Sequence, residues 1–408
     1  MFKNQKGFHH IVLLLLVLVV GVIGLIGYKV FQNNPQLNPS AILKSNGSND
    51  QKALAAGKML TANKCSGAAN LTFTHLPMNA ADFNLLIPYG LVVGDHVTPI
   101  DHQYFQPTVF QSPRDTYPVF AMADAHVVDI QPRYTPNHGT DYRLIFAHSC
   151  TSIYYYDLVT SLTGPVKAAY DKDPNNINLA VTSGEQIGAI GGQTLDFALW
   201  DTHTHLSGFV NPDSYNGEAW KIYTTDPFPY YTPQLRAIVE AKDPRVAQPI
   251  AGKIDYDIDG KLIGNWFQQG TGGYHDLKLN PASDYSKTHL SIAPSLYDPS
   301  HFIISLGDFG GQATQFAAQG NTPDPASVSQ QTGLVKYSLT RFSYTKADGS
   351  PWDQMGYTPA PKLVEGGQME GCLLVQLTDN RTLKAESFVK QNCSAVAGFD
   401  SSAKIYTR

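Results

Sequence analysis

The chain has 408 residues, room for two or three domains and at least one sizeable core, and its net charge of −5 with a pI near 6.2 argues against a nucleic-acid partner. Charged residues make up only 15%, while Tyr, Thr, Asn, Gln, Ser and Gly are plentiful, a balance closer to an exported β-rich protein than to a cytoplasmic helical one.

The first predicted element is a membrane helix over residues 11–28. Ile11 to Tyr28 carries no charge over 18 residues, which at about 1.5 Å each nearly spans a hydrocarbon core of about 30 Å. Lys3 and Lys6 precede it and Lys29 follows, so the positive-inside rule places residues 1–10 in the cytoplasm and the bulk of the chain outside, on a single-pass anchor in the cell membrane. A cleaved secretory signal is the rival reading, against a long apolar run with no small-x-small site promptly after Tyr28. The start "QKGFHHIVLLLL" also resembles type IV pilin-like signals, which would make Phe8 the mature N-terminus, although the acidic residue those signals carry is missing.

Residues 29–63 are rich in Asn, Ser and Pro without sustained periodicity, the pattern of a linker. From 64 to 240 the runs "YPVFAMADAHVVDIQ" (117–131), "DYRLIFAH" (141–148), "SIYYYDLV" (152–159) and "LDFALWD" (195–201) predict an antiparallel β domain with one short helix near 234–241. A C-terminal β barrel or sandwich is expected over 250–408, so the fold class is mainly β. Its opening, "GKIDYDIDGKLIGNWF", alternates Ile254, Tyr256 and Ile258 with aspartates and turns at Asp259-Gly260, which predicts a hairpin. The D-x-D-x-D-G string mimics a calcium loop, but its twelfth position is Trp266, which cannot coordinate. Cys65, Cys150, Cys372 and Cys393 show no C-x-x-C spacing, and outside the cell an even number is read as disulfides. Four cysteines allow three connectivities; Cys65 with Cys150 and Cys372 with Cys393 keeps each bridge within one domain.

In order, residues 88–212 resemble the core of lysostaphin/LytM-type zinc metallopeptidases, the duplicated hybrid motif family. "YPVFAMADAHVVDI" is similar to the family's Pro-Val-Tyr-Ala-Ala-Ala-Asp-Gly-Val-Val strand pair, "YRLIFAHS…SIYYYDLVTSL" to its next hairpin, and "VTSGEQIGAIGG" to the Gly-rich turn before the final strand. The resemblance implies a zinc site built from His-x-x-x-Asp and His-x-His, with a further His in Tyr-Ala-His handling protons or transition-state charge. Carried onto this chain, Tyr-Ala-His falls on Asp157 and His-x-His on Thr194 and Asp196, while His96 and Asp101 are five apart, with His102 beside them.

Each departure has a chemical consequence. Thr194 cannot serve as a base near neutral pH, where such groups contribute about 10² to 10⁴ in rate. Asp157 would bring negative charge to the place where an oxyanion develops. His96, Asp101, His102, Asp157 and Asp196 are therefore expected to converge as a binding site with no catalytic residues. If a metal survives, its ligands are His96, Asp101, His102 and Asp196; if the chain is active, Asp157 and Asp196 carry the chemistry around zinc. The alternative is a network in which these side chains bond to one another. His203 and His205 have the lost spacing but fall in a turn beyond the strand. His126 and His148 read as structural histidines, and Trp266 and the Tyr154–Tyr156 run as core aromatics.

The function this predicts is a membrane-anchored extracytoplasmic protein with a degenerate peptidase-like domain, binding cell-envelope glycan or peptide, or regulating a cell-wall hydrolase, with no cofactor. A zinc metalloendopeptidase acting on peptidoglycan peptides and a pilin-like surface component are the alternatives.

Overall fold

The computed structural model describes residues 48–135, 138–274 and 285–408. The expected membrane segment, the cytoplasmic tail and most of the linker lie outside these residues; among the described ones no helix is long and apolar enough to cross a membrane.

The end of the expected linker is instead a helix, α1 (Asn49–Leu60). Ser48 and Gln51 form a reciprocal capping box that satisfies two otherwise orphaned N–H groups. Ala53, Ala56, Gly57 and Leu60 fall at helical spacing and are buried. Small residues on that stripe let the helix lie directly on the main chain. A methyl group at Gly57 would sit 1.6 Å from the Cys150 carbonyl oxygen. The Cys65–Cys150 disulfide, with S–S 2.03 Å, ties the chain down just after the helix. Gly57→Ala is thus expected to unseat α1, destabilising the protein by about 2 kcal/mol or more despite alanine's better helix propensity, as a drop in thermal midpoint will show.

Seven strands form the central antiparallel sheet: β1 (Phe83–Ile87), β2 (Gln103–Pro107), β4 (Ala125–Thr135), β5 (Gly139–Ala147), β6 (Ser152–Val159), β8 (Leu179–Val181) and β10 (Leu195–Asp201), in the order β1-β2-β10-β6-β5-β4-β8. A small sheet, ordered β3-β9-β7, comprises β3 (Tyr117–Phe120), β7 (Ser161–Leu162) and β9 (Gln186–Ile190). Helix α2 (Gly164–Lys172) follows β7, and α3 (Pro233–Glu240) matches the expected short helix. Strand alternation sorts the side chains of the central sheet. Leu195, Phe197 and Leu199 join Phe105, Phe146, Tyr154 and Tyr156 in the main core, and Asp196 and Trp200 take the opposite face.

The C-terminal part is a closed eight-stranded antiparallel barrel: β14 (Thr314–Ala318), β13 (Phe302–Leu306), β12 (His289–Pro294), β11 (Gly264–Gln268), β19 (Lys404–Thr407), β18 (Thr382–Val389), β17 (Lys362–Asp379) and β15 (Val335–Thr345), sealed by β14–β15 pairing, with β16 (Pro351–Trp352) appended to β15. Closure leaves no sheet edge to template aggregation. The second disulfide joins Cys372 to Cys393.

The hairpin expected at 254–262 does not form: the chain turns at Asp259-Gly260, but residues 254–262 have no ladder partners and β11 starts only at Gly264. Its aspartates account for this by bonding elsewhere. Asp255 accepts from the Gly208 N–H at 2.8 Å, Asp257 from the Asn265 N–H at 2.8 Å and the Val210 N–H at 3.3 Å, and Asp259 pairs with Arg381 at 2.9 Å. The segment therefore clips the barrel to the loop after β10. The same commitments remove these carboxylates from any calcium loop.

A separate apolar cluster lies along the seam between the two parts. Leu85, Ile87, Ile100 and Tyr104 pack against Leu296, Tyr297, Ile303, Tyr344 and Trp352 of the barrel. Gln315 on β14 grips Gly94, accepting from its N–H at 3.0 Å and donating to its carbonyl at 2.9 Å, which fixes the loop that carries His96.

Candidate functional site

The register of β2, β10 and β6 sets Tyr104, Asp196 and Asp157 in one row across three strands, with Asp196 paired to both neighbours. Opposed residues in an antiparallel sheet share a face, so two carboxylates stand side by side. Asp101 and His102 enter from the chain just ahead of β2. The His102 Nδ1 lies 3.3 Å from Asp101 Oδ1, and its Nε2 lies 3.1 Å from the Tyr104 hydroxyl and 3.5 Å from Asp196 Oδ2. The His96 ring meets the His102 ring edge-on at 5.8 Å. All five residues expected to converge do so, and all are buried.

The face they share is roofed by a kinked 3₁₀ segment, Pro212–Tyr223. Trp220 stacks on Trp200 at 5.6 Å and donates its indole N–H to Asp101 Oδ2 at 2.9 Å. Lys221 places its ammonium 3.0 Å from Asp101 Oδ1 and 3.0 Å from Glu218 Oε2, over the Tyr274 ring at 4.3 Å. On the far side Arg133 of β4 bonds Asp157 directly, and Arg143 of β5 brings its Nε to 4.0 Å from the same carboxylate. The Arg143 guanidinium lies over the rings of Tyr155 (4.2 Å) and Trp220 (4.9 Å).

Local backbone irregularity makes this possible. The β5–β6 register shifts between Tyr142 and Leu144, so that Arg143 pairs with Gln131 of β4 but has no partner on β6, and Leu158 adopts φ +65° directly after Asp157, whose Oδ1 accepts the Leu158 N–H at 2.8 Å. Bulges and left-handed non-glycine residues commonly re-aim side chains at such sites.

Electrostatically the cluster divides into matched and unmatched groups. Burial alone would raise the Asp101 carboxyl, but Lys221 and the His102 contact outweigh it and hold it well below the usual range. Lys221 is correspondingly pushed up, its burial outweighed by Asp101 and Glu218. Asp196 has only Thr194, which donates at 3.1 Å, and the more distant His102. Burial, with the charge of Asp157 added, pushes its carboxyl up to about 7. Burial, with His102 and Lys221 nearby, lowers His96 to about 3, so that imidazole is neutral at ordinary pH.

These residues do not fit a zinc ion. The set His96, Asp101, His102 and Asp196 comes together, yet Asp101 is engaged by an ammonium and an indole, Asp196 retains its proton up to near neutrality, and Arg133, Arg143 and Lys221 already supply three buried cations. A dication there would be repelled by the ammonium 3.0 Å from its proposed carboxylate ligand. Among the described residues no group of three or more His, Cys, Asp or Glu side chains is arranged to hold a metal. The network alternative describes the contacts among these side chains.

The remaining histidines lie elsewhere. His203 and His205 sit in the turn after β10, with His203 3.3 Å from Asp201 and 3.4 Å from Asp50 of α1. His126 bonds Asn178, and His148 contacts the main-chain carbonyls of Asp124 and Asn70. Trp266 and Tyr154–Tyr156 are fully buried core residues.

Sequence reasoning missed Arg133, Arg143, Glu218, Trp220 and Lys221. The two arginines carry no clear mark in the sequence, since β4 also holds Asp129 and β5 also holds Asp141. "GEAWKIY" carries none either.

No protein-family model matches the chain, and no curated protein matches it. Solved structures with some likeness include a zinc-containing peptidase from Vibrio cholerae (17% identity over 33% of this chain and 38% of that one, TM-score 0.24), Helicobacter pylori Csd3 (12% identity over 44% and 42%, TM-score 0.24) and lysostaphin in solution (10% identity over 84% and 92%, TM-score 0.24). The chain spans less than half the length of the first two. At these TM-scores the likeness carries no argument about activity.

Proposed function

We propose that the chain is a single-pass, membrane-anchored extracytoplasmic protein whose first folded part is a degenerate peptidase-like β domain, and that it binds cell-envelope glycan or peptide, or regulates a cell-wall hydrolase, without cleaving a bond itself. The observation that supports a non-catalytic role is the position of Lys221. Its ammonium sits against Asp101 under the Trp220 indole, where a hydrolytic site would need an open position for water on a metal. The carboxylate set is thereby neutralised by fixed protein cations. Anchoring is supported by the uncharged run Ile11 to Tyr28.

The test uses the full chain in detergent, incubated with purified insoluble peptidoglycan, alone and with added zinc. Expected is retention on the pellet with no release of soluble fragments, unchanged by zinc or by a chelator. Zinc-dependent release of peptide fragments, lost on Asp196→Ala, would overturn the reading in favour of a metalloendopeptidase. Absence of retention would remove the envelope-binding half.

A further inference from the structure

We propose that Arg143 is the receptor for a carboxylate on the molecule this site binds. The inference rests on the ligand-binding reading above and adds the chemistry of the ligand.

Arg143 is an unusual buried cation. The residue is 8% exposed, and no side chain or carbonyl among the described residues forms a hydrogen bond with its guanidinium. Its Nε has no partner, with Asp157 the nearest carboxylate at 4.0 Å. Next to it, Arg133 spends one nitrogen on Asp157 and leaves Nε and Nη1 unpartnered, at 4% exposure. An unmet buried donor costs about 1–3 kcal/mol, more when charged, so two guanidiniums with spare N–H groups side by side call for an acceptor.

Geometry and charge specify that acceptor. The Arg143 guanidinium carbon lies over the rings of Tyr155 at 4.2 Å and Trp220 at 4.9 Å, and a guanidinium engaged by rings in this way offers its N–H edge for bonding. Such an edge matches a planar carboxylate taken bidentately. Around it stand Asp157, Asp101 and Glu218 against Arg133, Arg143 and Lys221, with His96 neutral and Asp196 close to neutrality in its own titration. The nearest carboxylate, Asp157, is bonded to Arg133 and stands 4.0 Å from Arg143, so the Arg143 fork has no carboxylate in hydrogen-bond contact. Pairing of Arg143 with Gln131 of β4, at the point where the β5–β6 register shifts, fixes its backbone beneath the site. A peptide's terminal carboxylate and an acidic side chain present the same group, so both are tried.

The experiment titrates the full chain in detergent with acetyl-alanyl-alanine, with its C-terminal amide, and with N-acetyl-glutamic α-amide, following tryptophan fluorescence, since Trp220 lines the site. Expected is saturable change with one or both carboxylates, which identifies the source, no change with the amide, and at least about tenfold weaker binding in Arg143→Lys, which keeps charge but loses the fork. Should that variant fail to fold, the Arg143 Nε–H resonance of the unmodified chain must shift with carboxylate and not with amide. Equal response to carboxylate and amide, no response to either carboxylate, or undiminished binding by a folded Arg143→Lys overturns the inference. Retention on peptidoglycan by the same variant separates the two readings: loss of carboxylate response with retention intact defeats this inference alone, whereas no retention by the unmodified chain defeats the envelope reading itself.

Discussion

Lys221→Met is expected to destabilise the protein by about 3–5 kcal/mol, because it keeps the stem's volume while leaving the buried Asp101 and the half-buried Glu218 without their cation. Asp101 and Glu218 each lie 3.0 Å from the ammonium, and Asp101 stays ionised because Lys221 and the His102 contact together outweigh its burial. Pairing the change with Asp101→Asn should recover a large part of the loss, since a neutral amide no longer needs the cation and can still accept the Trp220 indole N–H. Chemical denaturation of the single and double variants measures both effects. A loss under 1 kcal/mol for the single change, or no recovery in the double, would show that Lys221 is not the counter-charge of this core.

The second large effect has the opposite sign. The Asp196 carboxyl titrates at about 7 in the fold against 3.8 when free. Below about pH 4 both states are protonated and the group is neutral to stability. As pH rises toward 7 the unfolded chain releases the proton first, so the folded state loses ground, and above 7 the penalty is constant at about 4 kcal/mol. Asp196→Asn carries no such proton, so the variant should match the parent near pH 4 and exceed it increasingly up to pH 7–8. Melting curves taken at intervals across that range decide the matter. A variant no more stable at pH 8 than at pH 4, relative to the parent, would mean that Asp196 is already well compensated in the fold.

Much of this architecture could be read from the chain. Period-two runs located the strands at 117–131, 141–148, 152–159 and 195–201, and the pairing of β10 with β6 sets Asp196 opposite Asp157, while His96, Asp101 and His102 reach them from the chain ahead of β2. The charges facing them were not legible. A family pattern records which imidazoles are gone and says nothing of the lysine and arginines that now face the acids. Lys221 arrives from a 3₁₀ segment with no periodicity, and Arg143 owes its position to a register shift that composition does not encode. At 49–60, polar composition suggested a linker, although Ser48 and Gln51 together form a capping signal and the Ala53–Ala56–Gly57 stripe marks a close contact. At 254–258 the alternation was real, but the aspartates bond to a distant loop rather than to a neighbouring strand.

The seam joining the barrel to strands β1 and β2 bears on any attempt to dissect the molecule. Trimming the chain near residue 250 would not liberate a smaller working piece. It would bare Leu85, Ile87 and Ile100 to water and release the loop gripped by Gln315, so the fragment would be sticky and His96 unmoored. Heat or protease should accordingly find one object to dismantle.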